Sequence, residues 1–431
     1  MLPPSCRQPA AFQLYRWTTQ PYDFVRHNVA RHGDAFTAHL AGFGSAVFLS
    51  RPDEIAQVWT ADPDILQAGK GNDIIEPFVG SNSVLVLDGP RHRRARRLLM
   101  PAFHGQRSRA WGPAIVAATR RVMAPVRSGD TIRIQDVAQR ISLDIILQIV
   151  FGIDPDRLGE ARDAVVTAMD SAGPLVVFFQ FLQRDLGPGS PGRRLKRASE
   201  RADQVLFDTI AARRAASEPG DDILSTLLAA RDEDGQPMSD DELRDELWTL
   251  LVAGHETTAT AITWALHHIA SHPEVRSRLA TERAELGDDP AVLARAPYLS
   301  AVCAESLRLT PILPIVMRVA DQPIQIGRWT LPVGMRVAPC MLLVHRRADL
   351  FEDPDAFKPE RFLDRSFGPS EFFPFGGGNR RCLGAAFAEL EMRLVVSTLL
   401  ETAWLPRPAH IDTIRRNLAL GPADGTQLHV A

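Results

Sequence analysis

Phe375-Gly376-Gly377-Gly378-Asn379-Arg380-Arg381-Cys382-Leu383-Gly384 is the stretch on which the reading of this chain turns. Apolar residues at helical spacing follow it, Phe387, Leu390, Leu394 and Leu399, so Cys382 is predicted to lie where a helix begins. A helix N-terminus offers free N–H groups and the positive end of the dipole, which favour a thiolate. The glycines let the backbone approach a flat, bulky neighbour, because no Cβ intervenes. Arg380 stands two residues before the cysteine and can pair with a carboxylate on such a neighbour. Taken alone, the segment also fits a buried free cysteine beside a glycine turn.

Outward from this loop, helix dominates. Residues 88 to 310 run at helical period, punctuated by Asp, Ser, Pro and Gly. The longest candidate starts at the capping box Ser239-Asp240-Asp241-Glu242 and ends near His272, before Pro273. Its middle, Leu247 to Ala265, is apolar on nearly every side, which predicts a helix passing through the core. Phe36 to Leu40 and Ala46 to Leu49 read as a β-hairpin, a second β-rich patch runs from about Ile315 to Pro339, and short strands are expected after Trp404. The fold class is therefore mainly α with a minor β part. With 431 residues, 45% hydrophobic and 23% charged, the chain has the composition of a globular protein. No repeat or linker divides it, so residues 1–431 are expected to form a single domain.

Two further motifs lie on the helical part. Ala253-Gly254-His255-Glu256-Thr257-Thr258 sits in the middle of the long helix. Gly254 is read as opening room beside the helix, Thr257 as a hydroxyl that can bend it, and Glu256 as a carboxylate costly to bury without partners or a proton-handling role. His255-Glu256 also begins an HExxH pattern, but Ala259 stands at the fifth position, so that zinc site fails. Glu305-Ser306-Leu307-Arg308 places an acid and a base on one helix face, and Phe357-Lys358-Pro359-Glu360-Arg361-Phe362 follows downstream.

In this order and spacing, the segments resemble the cytochrome P-450 superfamily of haem-thiolate monooxygenases, and the resemblance covers nearly the whole chain. The cysteine loop matches that family's haem-binding pattern FxxGxRxCxG, the long-helix segment is similar to its oxygen-activation motif, and the last two to its ExxR helix and arginine loop. The resemblance implies a cytochrome P-450 fold with haem b between the long central helix and the helix after the cysteine loop. It implies Cys382 as the iron ligand, with Phe375, Gly376, Arg380 and Gly384 around it, since a cysteine thiolate pushes electron density onto haem iron. His92, Arg96 and Arg318 are expected to contact haem propionates. Glu256 and Thr257 are expected to relay protons, and Glu305, Arg308 and Arg361 to form a buried structural network. His345-Arg346-Arg347-Ala348-Asp349 departs from the family's frequent His-Arg-Asp, so no haem contact is assigned to His345.

The implied reaction is insertion of one oxygen atom from O2 into a C–H or C=C bond of a small molecule. Phe78, Val79, Leu87, Phe178, Leu250, Ala253, Ile312, Leu313 and Ile315 are expected to line the pocket, and their apolar character favours a fatty acid, terpenoid or steroid. A peroxide-driven peroxygenase and a haem sensor are the competing readings. The chain carries no flavin or iron-sulfur motif and too short a tail after Cys382 for a fused reductase, so an external ferredoxin or flavodoxin is expected. The net charge is only -3, yet residues 89 to 129 hold ten arginines and no acid. Arg93, Arg94, Arg97 and Arg381 are candidates for docking that donor. No module for reading bases accompanies the stretch, so nucleic acid is not expected. Four scattered cysteines, no signal peptide pattern and no long apolar run point to a cytoplasmic monomer without a membrane anchor.

Overall fold

The computed structural model describes residues 1–103, 107–171, 176, 180–216, 220–408 and 410–431. The central helix runs Asp240–Ser271, about 48 Å at 1.5 Å per residue. Ser239 Oγ accepts from Glu242 N and the Glu242 carboxylate accepts from Ser239 N, so the capping box forms as predicted. Helix Ile134–Ile149 packs along the central helix and Ala385–Leu399 crosses it. Most residues from Leu243 to Ala270 are buried, but around the motif Ala253 is exposed and Leu250, Val252, Gly254, Glu256 and Thr257 are half-buried.

Gly254 corrects one expectation. A Cβ there would lie 3.2 Å from Ile146 Cδ1, so the missing side chain lets helix Ile134–Ile149 come close rather than leaving open room.

The hairpin comprises strands Ala35–Leu40 and Gly44–Leu49, slightly longer than the sequence reading. Gly44–Leu49 pairs in parallel with Arg336–Pro339, which pairs with Arg318–Ala320, and that strand pairs with Leu66–Gln67. Residues alternate between two buried faces. Ala35, Val47, Leu49 and Val337 join one core with Ile55 and Phe373, while Phe36, Ala46, Phe48 and Ala338 join another with Trp17 and Phe24. Burial on both sides explains why these strands are almost continuously apolar.

Within the span read as helical, Thr131–Arg133 is instead a strand pairing with Gln427–His429. Three residues carry no periodicity, and the partner strand is supplied by the far end of the chain. The tail also forms the hairpin Thr413–Arg416 and Ala419–Pro422. Among the described residues, no helix is long and apolar enough to cross a membrane.

Candidate active site

The cysteine loop bridges two cores. Phe375 and Leu383 pack against the helical core, whereas Phe373 belongs to the sheet core. Helix Ala385–Leu399 starts after Gly384, preceded by a 3₁₀ turn at Gly378–Arg380. Cys382 N donates to Phe375 O at 2.9 Å, which closes the loop. What the glycines approach is protein. A Cβ at Gly377 would lie 2.5 Å from the Trp59 ring and one at Gly378 2.5 Å from Trp59 O. Gly376 and Gly378 also have positive φ, +67° and +66°, and a Cβ at Gly376 would meet only Val316, at 3.6 Å.

Of the four cysteines, Cys6, Cys303 and Cys340 are buried and Cys382 is exposed. Burial pushes the Cys303 and Cys340 thiols up to about 12. Cys382 is exposed as a residue, yet its surroundings are close enough that desolvation raises its thiol too, opposed by the Gly384 N–H, Arg381 and Arg96. Desolvation thus works against the helix-end stabilisation expected of this thiol. A metal ion that binds the sulfur removes its proton outright.

Basic side chains from three separate elements converge beside the loop. His92 and Arg96 come from helix Gly89–Phe103, Arg318 from its strand, and Arg380 from the loop. His92 is 3% exposed and pushed down to about 3, first by desolvation and then by Arg380, Arg96 and Arg318. Arg318 and Arg380 are pushed down to about 10, chiefly by burial. Among the described residues, the acid set against them is Asp88, which pairs with Arg380 while also accepting from Ala68 N, Gly69 N and Lys70 N. Arg380 also donates to Val84 O and Leu87 O, and Arg96 to Arg381 O at 2.8 Å. So Arg380 is already engaged by Asp88. Arg318 donates to Met317 O and Gly377 O and lies over Trp59. Three buried or half-buried arginines, Arg96, Arg318 and Arg380, beside a buried histidine and with Asp88 as their carboxylate, suit a ligand that brings acidic groups of its own. The thiol of Cys382 beside them completes a donor set that fits haem with its propionates.

Thr257 Oγ1 donates to Ala253 O at 2.6 Å, the helix-bending bond expected of it. The Glu256 carboxylate points elsewhere: its Oε2 accepts from Gln139 Nε2 at 2.7 Å, and burial raises its pKa. His255 is buried and pushed down to about 4 by desolvation. Among the described residues no cluster of three or more His, Cys, Asp and Glu is placed to hold a metal ion.

Glu305, Arg308 and Arg361 come together behind the loop. Arg308 meets both Glu305 oxygens at 2.7 and 2.8 Å and donates to His345 O, Pro354 O and Ala356 O. Arg361 Nε and Lys358 N donate to Glu305 Oε1 at 3.1 and 2.8 Å. His345 is fully buried and its Nε2 accepts from Phe373 N at 3.1 Å, so it supports the loop's base.

The apolar candidates are scattered. Val79 and Leu87 are buried, Phe78 and Leu250 half-buried, and Ala253 exposed. Ile312 joins the helical core, and Ile315 packs against the N-terminal core containing Phe24 and Phe36. Leu313 is half-buried, and Phe178 lies outside the described residues. The segment carrying these residues is tied to the central helix: Asp245 accepts from Asn82 N, Glu246 from Val84 N, and Thr249 donates to Ser83 Oγ. Sequence reasoning missed this clamp, Asp88, Trp59 and Gln139, because each acts through a partner distant in sequence.

The docking arginines are also tied down. Arg93 pairs with Asp64, Arg94 with Asp232 and Glu242, and Arg97 with Glu233. The basic stretch is thus partly neutralised by acids from elsewhere in the chain, which corrects the picture of a bare cationic patch. Arg381 remains exposed, and the side chains of Arg107 and Arg109 lie outside the described residues.

The family model described as Cytochrome P450 matches residues 8–407. Cytochrome P450 135B1 of Mycobacterium tuberculosis is 37% identical over 93% of this chain and 84% of its own. Cytochrome P450 138 of the same organism is 34% identical, covering 98% of this chain and 95% of its own. Among solved structures, the retinoic acid bound cyanobacterial CYP120A1 superposes with a TM-score of 0.88 at 25% identity, covering 100% of this chain and 99% of that one. By profile, by identity along the chain and by fold, this protein belongs to the cytochrome P450 family and is a haem-dependent monooxygenase.

Proposed function

We propose that this monooxygenase oxidises a lipophilic small molecule, such as a fatty acid, terpenoid or steroid, with electrons from a separate acidic donor. The observation that carries this reading is the accessible stretch of the central helix, where exposed Ala253 and half-buried Leu250 share one helix face with Thr257. Apolar surface there rewards an apolar substrate at roughly 25 cal/mol per Å² removed from water. The retinoic acid bound to cyanobacterial CYP120A1 is a ligand of that kind.

Haem bound at Cys382 supplies the oxygen-activating and electron-accepting chemistry. The chain does the rest. His92, Arg96 and Arg318, with Arg380 shared by Asp88, would offset the cofactor's carboxylates. Thr257 keeps its hydroxyl hydrogen on Ala253 O, so its oxygen's lone pairs are left to accept a hydrogen bond from a group bound beside it. Glu256, whose burial favours the protonated form, holds the proton to be delivered next to it. For the donor, exposed Arg381 is the contact we favour over Arg93, Arg94 and Arg97, which already hold acids of this chain. The relay also favours O2 with an electron donor over peroxide as oxidant.

A spectral screen of fatty acids, terpenes and steroids, read as displacement of water from the iron, tests the substrate class. Turnover of the hits with NADPH, a reductase and a ferredoxin tests the electron route. Binding only of polar molecules, or full turnover with peroxide alone, overturns the corresponding half of the proposal.

A further inference from the structure

Helix Ile134–Ile149 places Gln139 against the carboxyl group that the relay uses. Its amide nitrogen stands 2.7 Å from Glu256 Oε2, the hydrogen-bond partner the structure gives that carboxyl group. The close approach of the two helices at Gly254 and Ile146, on the same pair of helices as this contact, makes it possible. Other charges facing Glu256 act at longer range. Arg416, from the hairpin Thr413–Arg416, attracts it, and Asp170, at the end of helix Leu158–Ser171, repels it. Arg416 is itself answered by Asp136 and disfavoured by Arg133, and donates to Pro422 O at 3.5 Å. No ion pair with Glu256 occurs among the described residues.

We propose that Gln139 is the positioning residue of the proton relay: its uncharged amide aims Glu256 while leaving the acid able to carry a proton. The distinction is physical. A primary amide can donate to a carboxylate oxygen and can equally accept from a protonated carboxyl through its own oxygen, so it holds both states. A lysine or arginine at the same place holds only the anion, and an opposite charge within 4 to 6 Å lowers a carboxyl pKa by about 1 to 3 pH units. An arginine in place of Gln139 would therefore fix Glu256 as a spent base. The neutral partner leaves Glu256 free to hold a proton, one residue from Thr257.

This inference rests on the reading of Glu256 as the relay acid, and the experiment separates the two. The carboxylic-acid infrared band of Glu256 is isolated in the haem-loaded protein by difference against Glu256→Gln, and followed against pH. In Gln139→Lys its midpoint should fall by about 1 to 3 pH units. In Gln139→Met, close in size and unable to donate, it should rise. A midpoint that stays put in both variants, with the proteins folded, overturns the inference, because a merely packing role for Gln139 does not move a proton. The same variants are then assayed for product per electron pair across pH. A midpoint that moves while the pH profile of coupling does not shows that Gln139 governs the Glu256 proton but that Glu256 is not the relay acid, which overturns the reading on which the inference rests.

Discussion

Two arginine-rich clusters lie on either side of the cysteine loop, and they differ in what answers their charge. Behind the loop, Arg308 is 0% exposed and meets both oxygens of Glu305 and three backbone carbonyls. Beside it, Arg318 is 6% exposed, rests on two carbonyls and a tryptophan face, and shares Asp88 with Arg380. The first cluster is complete within the chain, as buried ions must be when their task is structural. The second is under-neutralised, and the cost of its desolvation appears as the depressed pKa values of His92, Arg318 and Arg380. A complete cluster holds the fold, whereas an incomplete one awaits a ligand of opposite charge.

The sharpest way to break this contrast is to unbalance the complete cluster. Glu305→Ala leaves Arg308 buried without its counter-ion and should cost about 3–5 kcal/mol, enough to abolish folded protein. Soluble yield and chemical unfolding report it. On the open side, function should fail before folding does. Thr257→Ala should leave stability within about 1 kcal/mol, yet lower product per electron pair roughly a hundredfold, measured as NADPH consumed against product. In the incomplete cluster, Arg318→Leu should weaken haem binding about tenfold to a hundredfold. It should not destabilise the haem-free protein, since it removes a buried cation with little to answer it. A haem titration beside an unfolding curve separates the two effects.

Glu391 sharpens the same comparison through pH. Buried on the helix after the loop, it is pushed up to about 8 by desolvation. A raised folded-state pKa means the native protein holds a proton that the unfolded chain releases near 4.3. Its contribution is therefore complete below that value and is lost as pH rises through about 8. Unfolding free energy should decline over this window, and Glu391→Gln should flatten the decline. The smallest effect is expected at Arg97, whose pair with Glu233 is solvent-exposed on both sides. Arg97→Ala should change stability by less than about 1 kcal/mol, and high salt should erase the difference.

The long helix, its capping box and the start of the helix after Cys382 were legible locally, because capping and period are written in adjacent residues. The strand Thr131–Arg133 was not, since its partner Gln427–His429 comes from the other end of the chain. Charge misled in the same way. Ten arginines in a run without acids suggested a bare basic face, but Asp64, Asp232, Glu233 and Glu242 fold back onto three of them. The glycines of the cysteine loop were recognised, while what presses on Gly377 and Gly378 is Trp59, which no spacing reveals.

By itself, the order of residues determined the helical class and the family, because those depend on types at fixed local separations. Which charges are answered and which are left waiting was decided only by the tertiary structure. Burial and pairing depend on what distant segments bring to the same place, as Gln139 is brought to Glu256 and Asp88 to Arg380.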